Sequence, residues 1–197
     1  MITWKILPFA FLTFLVSCSP STKIEKTWTD PSFTSGNVAF HKVLVIGQLG
    51  DESSRRIAED KMVASFKTVT GVQSYSYLQA ADTARSSVEE RLKKDNFDGV
   101  VIMHLSAVDK STSYVPGTTY GGWYGHGYGY GGMYGSAGYY QENKTYYLET
   151  NLYSLTENKL LWSGTTSSLN PSKLDKTLDD VITALRDQMI SQGLIKP

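Results

Sequence analysis

Two short runs of the chain leave little freedom in how it can fold. Val43-Leu44-Val45-Ile46, closed by Gly47, and Val100-Val101-Ile102-Met103-His104-Leu105, opened by Asp98-Gly99, are almost continuously apolar and rich in β-branched residues. A strand with one wet face alternates apolar and polar side chains, so a run without alternation reads as a strand buried on both faces, with helices packed on either side. The residues between the runs carry helical patterns. Asp51-Glu52-Ser53-Ser54 supplies N-capping residues and first-turn acids, and Ala58, Met62, Ser65, Phe66 and Val69 fall on one helical stripe that Gly71 ends. Ser86-Ser87-Val88-Glu89 has the form of a capping box, opening a second helix that reaches about Asn96. Between the two helices, Val72 to Leu78 alternates as a strand.

Two strand-helix-strand units of this spacing predict a sheet that is at least partly parallel. Lys144 to Leu155 is strand-like, Thr156-Glu157-Asn158-Lys159 is a turn, and Leu160 to Thr165 returns, which makes an antiparallel hairpin. Leu174, Leu178, Val181, Ile182, Leu185 and Met189 then mark an amphipathic helix, opened by Asn170-Pro171-Ser172 and closed by Gly193. The expected fold class is therefore α/β: β-α-β-α-β, then a β-hairpin, then a C-terminal α-helix, in a mixed sheet flanked by helices. Of 197 residues, 41% are hydrophobic, enough for one core, and 36–197 read as a single domain. With one cysteine no internal disulfide can form, so packing must supply the stability.

Between the third and fourth expected strands lies a long Gly/Tyr-rich loop, 114–140. It holds ten of the 17 glycines, eight tyrosines and Trp123, and its only ionisable side chain besides tyrosine is His126. A stretch this rich in glycine and this poor in aliphatic residues loses too much backbone entropy on ordering, and is expected to be mobile. Two readings stand side by side. In one, Tyr120, Trp123, Tyr124, Tyr128, Tyr130 and Tyr134 form an adhesive surface for a membrane interface, a glycan or a protein, since such side chains present apolar area with a polar tip at low entropic cost. In the other, the stretch is a low-complexity insertion without a ligand.

Signals for catalysis are absent or bland. Gly47-Gln48-Leu49-Gly50 sits where dinucleotide loops sit, yet it lacks the Gly-x-Gly-x-x-Gly spacing and any Walker lysine, and reads as a tight strand-to-helix turn. His41, His104 and His126 are too dispersed for metal-ligand spacing, and His104 is expected to be a hydrogen-bonded core histidine. The acidic pairs Asp51-Glu52, Glu59-Asp60, Glu89-Glu90 and Asp179-Asp180 are expected on solvated helix faces. Arg55-Arg56 at a helix start opposes the dipole; an ion pair with Glu59 or Asp60 accounts for it, with an anion- or partner-facing role as the alternative. Lys and Arg total 19 against 19 for Asp and Glu, which excludes the basic footprint of a nucleic-acid binder. No metal, nucleotide or other cofactor is expected, and the chain reads as a non-enzyme.

The N-terminus carries the most specific address. Residues 1–17 have Lys5, an apolar run from Ile6 to Val16 too short to span a bilayer, and small Ser17 before Cys18, the parts of a secretory signal. Leu15-Val16-Ser17-Cys18 resembles a bacterial lipobox, which implies a thioether-linked diacylglycerol and an N-acyl chain, palmitate among the fatty acids, on Cys18. Ser19 rather than Asp after the cysteine favours the outer membrane. Residues 18–35, polar and with Pro20 and Pro31, read as the lipidated cysteine and a flexible tether, with Trp28 and Phe33 docking on the domain edge.

Trp28-Thr29-Asp30-Pro31, Lys42 to Gly47, Arg55-Arg56 with Glu59-Asp60, Ser74-Tyr75, Asp98-Gly99-Val100, Tyr114-Val115-Pro116-Gly117, and Leu148 to Tyr153 ahead of Leu161-Trp162 together resemble a recurrent set of bacterial lipoproteins with a Gly/Tyr-rich loop. The resemblance spans nearly the whole chain after the signal and implies no catalytic residues. More distantly, the element order is similar to that of the curli-secretion lipoprotein and of lipoprotein activators of penicillin-binding proteins. The expected function is a lipid-anchored, periplasm-facing binding or assembly module, working through the aromatic loop and the sheet edge beside it. A peptidoglycan- or glycan-binding module is the alternative, and a hydrolase of envelope polymers a third reading.

Overall fold

The computed structural model describes residues 21–33, 40–78, 85–117 and 137–195. In chain order the elements are β1 (Thr22–Thr29), β2 (Lys42–Gln48), α1 (Glu52–Ser65), β3 (Thr70–Gln73), α2 (Ser74–Tyr77), α3 (Arg85–Lys94), β4 (Gly99–Val115), β5 (Tyr139–Ser154), β6 (Lys159–Leu169) and α4 (Leu174–Ser191). The strands form one sheet in the order β1-β6-β5-β4-β2-β3. β2 runs parallel to β3 and β4, while β4, β5, β6 and β1 are antiparallel to their neighbours. This is the expected mixed α/β fold, with a strand added at its start.

The two apolar runs behave as their composition requires. Val43 and Val45 of β2, with Val101 and Met103 of β4, face a core closed by Ala58 and Met62 of α1 and by Leu178, Val181, Ile182 and Leu185 of α4. Leu44 and Val100 point the other way, against Leu92 of α3 and Phe97. Each fully buried Leu, Val or Met contributes about 1.5–3 kcal/mol of transfer free energy. Trp162 of β6 is fully buried in the larger core. Its indole N–H donates to Gln192 Oε1 at 2.7 Å, and Gln192 Nε2 donates to Thr27 Oγ1 at 3.1 Å, so one side chain ties β6, the end of α4 and β1 together. Room for the ring exists because position 164 is glycine: a Cβ there would run into Trp162 Cη2.

Several boundaries differ from expectation, each for a local reason. The tether expected over 18–35 contains β1, paired with β6 from Thr22↔Ser168 to Thr29↔Trp162. A bulge between Ile24 and Lys26 breaks the alternation that would have marked it as a strand. Phe33 packs against the larger core, whereas Trp28 is 46% exposed. The first helix stops at Ser65, four residues before Val69, because Phe66 turns extended (φ −75°, ψ 132°) and Gly71 lies within β3 under the Phe66 ring. The strand expected to reach Leu78 ends at Gln73 and winds into one helical turn, Ser74–Tyr77. Arg85 is already helical, so Ser86 lies inside α3 rather than before it. β4 continues ten residues past Leu105, to Val115, and β5 begins at Tyr139 rather than Lys144. β6 runs on through buried Thr166, Ser167 and Ser168, polar residues that β1 covers. In α4 the expected face is buried from Leu178 to Leu185, Leu174 is exposed, and Gly193 (φ 72°) closes the helix.

Asp51 caps α1: its carboxylate accepts from Ser54 N at 2.9 Å and Ser54 Oγ at 2.6 Å. The Ser54 hydroxyl, then the Ser54 N–H, hold the Asp51 carboxyl below the usual aspartate range. A depressed folded value contributes stability above the unfolded-chain value that is lost as pH falls through the folded one. Asparagine caps equally well but does not titrate. Asp51→Asn should thus leave the urea midpoint at neutral pH nearly unchanged and make the fall in stability below about pH 4 shallower; an acid limb identical to that of the parent would refute this role. Separately, Gly164→Ala should destabilise by about 1–3 kcal/mol through displacement of Trp162, and Trp162→Ala by about 3–5 kcal/mol, both read from urea unfolding at constant slope.

Candidate functional site

The most distinctive surface is an arm made by β4 and β5. β2 pairs with β4 only as far as Gln48↔His104, and β6 pairs with β5 only from Thr145↔Leu169 onward. Asn170 (φ 45°) ends β6 there: its N–H donates to the Lys144 carbonyl and its Oδ1 accepts from Lys144 N–H, each at 2.8 Å. Beyond that point β4 and β5 pair with each other alone, from Lys110↔Lys144 to Val115↔Tyr139. Every residue of β4 from Leu105 to Tyr114 is exposed. On this two-stranded ribbon, charge occurs at Asp109, Lys110 and Lys144 at the base and at Glu142, paired with Thr112 halfway out. The tip beyond that pair, 113–117 with 137–141, is uncharged and carries Tyr114 (57% exposed), Tyr139 (58%) and Tyr140 (76%). The Tyr114 and Tyr140 rings tilt together with centroids 5.2 Å apart, and Tyr114 lies over Gly138. A two-stranded ribbon without a core under it is marginally stable in water.

Six tyrosine and tryptophan residues singled out in the sequence, Tyr120, Trp123, Tyr124, Tyr128, Tyr130 and Tyr134, lie outside the described residues, as do His126 and the lipobox residues Leu15, Val16, Ser17 and Cys18. The described arm is the stem from which the Gly/Tyr stretch departs and to which it returns, and it adds Tyr114, Tyr139 and Tyr140 to the aromatic set. These three lie at the borders of the Gly/Tyr run, and the i, i+2 alternation that would have announced a strand there is missing because both faces of the ribbon are wet.

The second notable cluster is inside the fold. Glu59 has no exposed surface, against the expectation that it lies on a solvated face. Its Oε1 accepts from Gly47 N–H at 2.9 Å, Ser74 Oγ at 2.7 Å and Arg55 Nε at 3.1 Å, and its Oε2 from Tyr75 N–H at 3.2 Å. Arg55 also reaches Ser74 Oγ at 2.9 Å and Glu52 at 3.1 Å. The carboxylate thus occupies the crevice at the carboxyl end of β2, where open α/β sheets commonly take a ligand, and consumes the loop N–H that a phosphate would need. It also diverts β3 into α2. Of the two arginines, Arg55 makes the expected ion pair with Glu59; Arg56 pairs with Glu52 at 2.8 Å and lies over the Tyr75 ring.

Several other ionisable groups pair with local partners. Asp60 accepts from Tyr75 Oη and Gln73, Lys61 bridges Asp175 and Asp179, and Glu89 pairs with Lys93. Asp98 accepts from the His41 and Lys42 backbone N–H groups and lies 3.0 Å from His41 Nδ1. His104 is half-exposed, 3.9 Å from Glu149, rather than in a core. Among the described residues there is no cluster of three metal-ligating side chains and no helix long and apolar enough to cross a membrane.

No protein-family model matches the chain, and no curated protein does. Similar solved structures include a PelC L103M dodecamer from Paraburkholderia phytofirmans, 12% identical with a TM-score of 0.44, the match covering 83% of this chain and 95% of that one. Lipoprotein GNA1162 from Neisseria meningitidis is 13% identical with a TM-score of 0.42, covering 77% and 99%. TolB from Acinetobacter baumannii is 12% identical with a TM-score of 0.39, covering 86% of this chain but 31% of that one. At such identities and scores the likeness bears on no chemistry or partner.

Removing Glu59 leaves Arg55 and three donors facing an apolar interior. Glu59→Ala should cost about 3–5 kcal/mol, as breaking a buried pair does. A loss within about 1 kcal/mol would show the network to be dispensable.

Proposed function

We propose that this chain is a lipid-anchored, periplasm-facing envelope protein, held at the outer membrane by acyl chains on Cys18, that works by binding rather than catalysis. Its contact with another envelope component is the β4–β5 arm together with the Gly/Tyr-rich stretch that the arm carries. One observation carries the reading: an uncharged ribbon tip with three exposed tyrosines stands clear of the sheet body, supported by nothing in the described fold. Soluble domains seldom project aromatic area in this way unless it is covered in use. Among the described residues, the carboxylate in the sheet crevice is buried and already accepts from four donors, which supports binding at the arm over chemistry in the crevice.

The test is in-cell photocrosslinking from position 140, on the arm, and from position 157, in the turn at the opposite end of the sheet. Adducts with an envelope protein, glycan or lipid are expected from Tyr140 and not from Glu157. A chain lacking residues 117–138 should keep its urea midpoint; adducts from Glu157 as strong as those from Tyr140, or none from either, sink the proposal. Co-sedimentation with purified peptidoglycan that disappears with Trp123→Ala would assign the glycan alternative.

A further inference from the structure

We infer that the component met by the arm is the lipid bilayer itself: the tyrosine-bearing tip rests in the headgroup layer of the leaflet that holds Cys18, giving the domain a second membrane contact. The inference rests on the lipidated Cys18 of the proposed function and adds to it the length of chain between the anchor and the sheet. Ser21 is already held, its carbonyl accepting from Leu169 N–H at 3.0 Å, and Thr22 is in register with Ser168. Only three Cα–Cα steps separate Cys18 from Ser21, so the anchored residue lies at most about 11 Å from the sheet.

The direction in which the chain leaves is equally fixed. Ser21 stands at the level of Leu169, which pairs with Thr145, which pairs with Asp109. From that level the sheet body extends one way for the eight residues to Thr29, about 27 Å, and the arm extends the other way for the six residues from Asp109 to Val115, about 20 Å. Were the arm to point away from the membrane, the body would have to enter the bilayer, because Ser21 cannot stand farther than the short link from the surface. Two attitudes remain: strands steep to the membrane, with the tip reaching lipid, or the sheet lying along it, with the arm flat on the headgroups. Both bring Tyr114, Tyr139 and Tyr140 to the interface.

The chemistry of the arm suits that layer. Tyrosine is enriched at membrane–water boundaries because its ring prefers the acyl border and its hydroxyl the headgroups. The charged groups, Asp109, Lys110, Lys144 and, nearest the tip, Glu142 opposite Thr112, stay where water is, and the tip beyond Glu142 offers the hydroxyl of Ser113 but no charge to desolvate. A ribbon that lacks a core of its own would gain from the apolar contact.

The experiment uses the full lipidated chain reconstituted in vesicles of phosphatidylethanolamine with a minority of phosphatidylglycerol. Cys18 is the only cysteine and is acylated, so Tyr140→Cys and, separately, Glu157→Cys each supply one thiol for an environment-sensitive fluorophore. Nitroxide-labelled lipids report proximity. The protein should float with the vesicles, with the probe at 140 losing most of its fluorescence and the probe at 157 little. Combining Tyr114→Ser with Tyr139→Ser should weaken the quenching at 140 without moving the urea midpoint. Flotation with no quenching at 140, or with equal quenching at both positions, overturns the arm contact and leaves the anchor standing. Failure to float overturns the anchor and the arm contact together. Quenching at 140 that is abolished by adding isolated peptidoglycan or envelope protein assigns the tip to that partner instead and overturns the inference.

Discussion

Strand β4 has two neighbours of unequal length, and the shape of the molecule follows from that inequality. On one side β2 accompanies it in parallel only to His104, because Gly47 to Asp51 must turn the chain back into α1. On the other side β5 pairs with it through Val115↔Tyr139. Helices can cover the sheet only where strands lie side by side beneath them, so α1, α4 and α3 close two cores over the short half. The excess length of β4 and β5 becomes a ribbon wet on both faces. Body and arm are therefore two outcomes of one pairing pattern, and the arm continues the buried strands of the core past an irregularity between Leu105 and Ala107.

What could be read from the sequence divides along the same line. Val43 to Ile46 and Val100 to Ile102 announced themselves because burial on both faces demands unbroken apolar residues, and the stripe of α4 did so because it buries only one face. Elements with little burial left no pattern. β1 is an edge strand with a bulge at its middle, and the arm alternates between two solvated faces, so neither period survives in the residue order. Glu59 differs for another reason: an acid next to Asp60, in a helix opened by Asp51 and Glu52, looks solvated in the sequence, while Gly47, Ser74 and Tyr75 converge on it from distant positions. The aromatic stretch was legible as a composition, and the stem that aims it was not.

Replacing a flexible tether by a strand changes what the N-terminus can do. Eighteen free residues would let a domain wander through a volume many times its own size. Pairing of β1 with β6 removes nearly all of that freedom, so an anchor at Cys18, as proposed, would orient the domain as well as localise it. Orientation in turn gives meaning to where the arm points. On the proposed reading, acyl chains would hold the protein at a surface; tyrosines at a ribbon tip would add little affinity to that, but would fix the tilt of the sheet and so decide which face the periplasm sees.

The crevice at the carboxyl end of β2, where open α/β sheets commonly take a ligand, is filled by the chain itself. In such sheets the strand-to-helix turn offers a backbone N–H and the positive end of a helix to an anion. Here the anion is part of the chain. Glu59 reaches back from the second turn of α1, takes the Gly47 N–H, and brings Arg55 as its counter-charge and Ser74 and Tyr75 as further donors. Gly47 itself admits this packing only because it lacks a side chain, since a Cβ would stand 3.2 Å from the Arg55 carbonyl and 3.4 Å from Glu59 Cγ. A ligand could enter only by displacing a buried carboxylate that already has four donors, which would strand charges on both sides. The crevice is thus closed by the fold's own stabilisation, which is why the proposed function falls to the part of the sheet that the helices never covered.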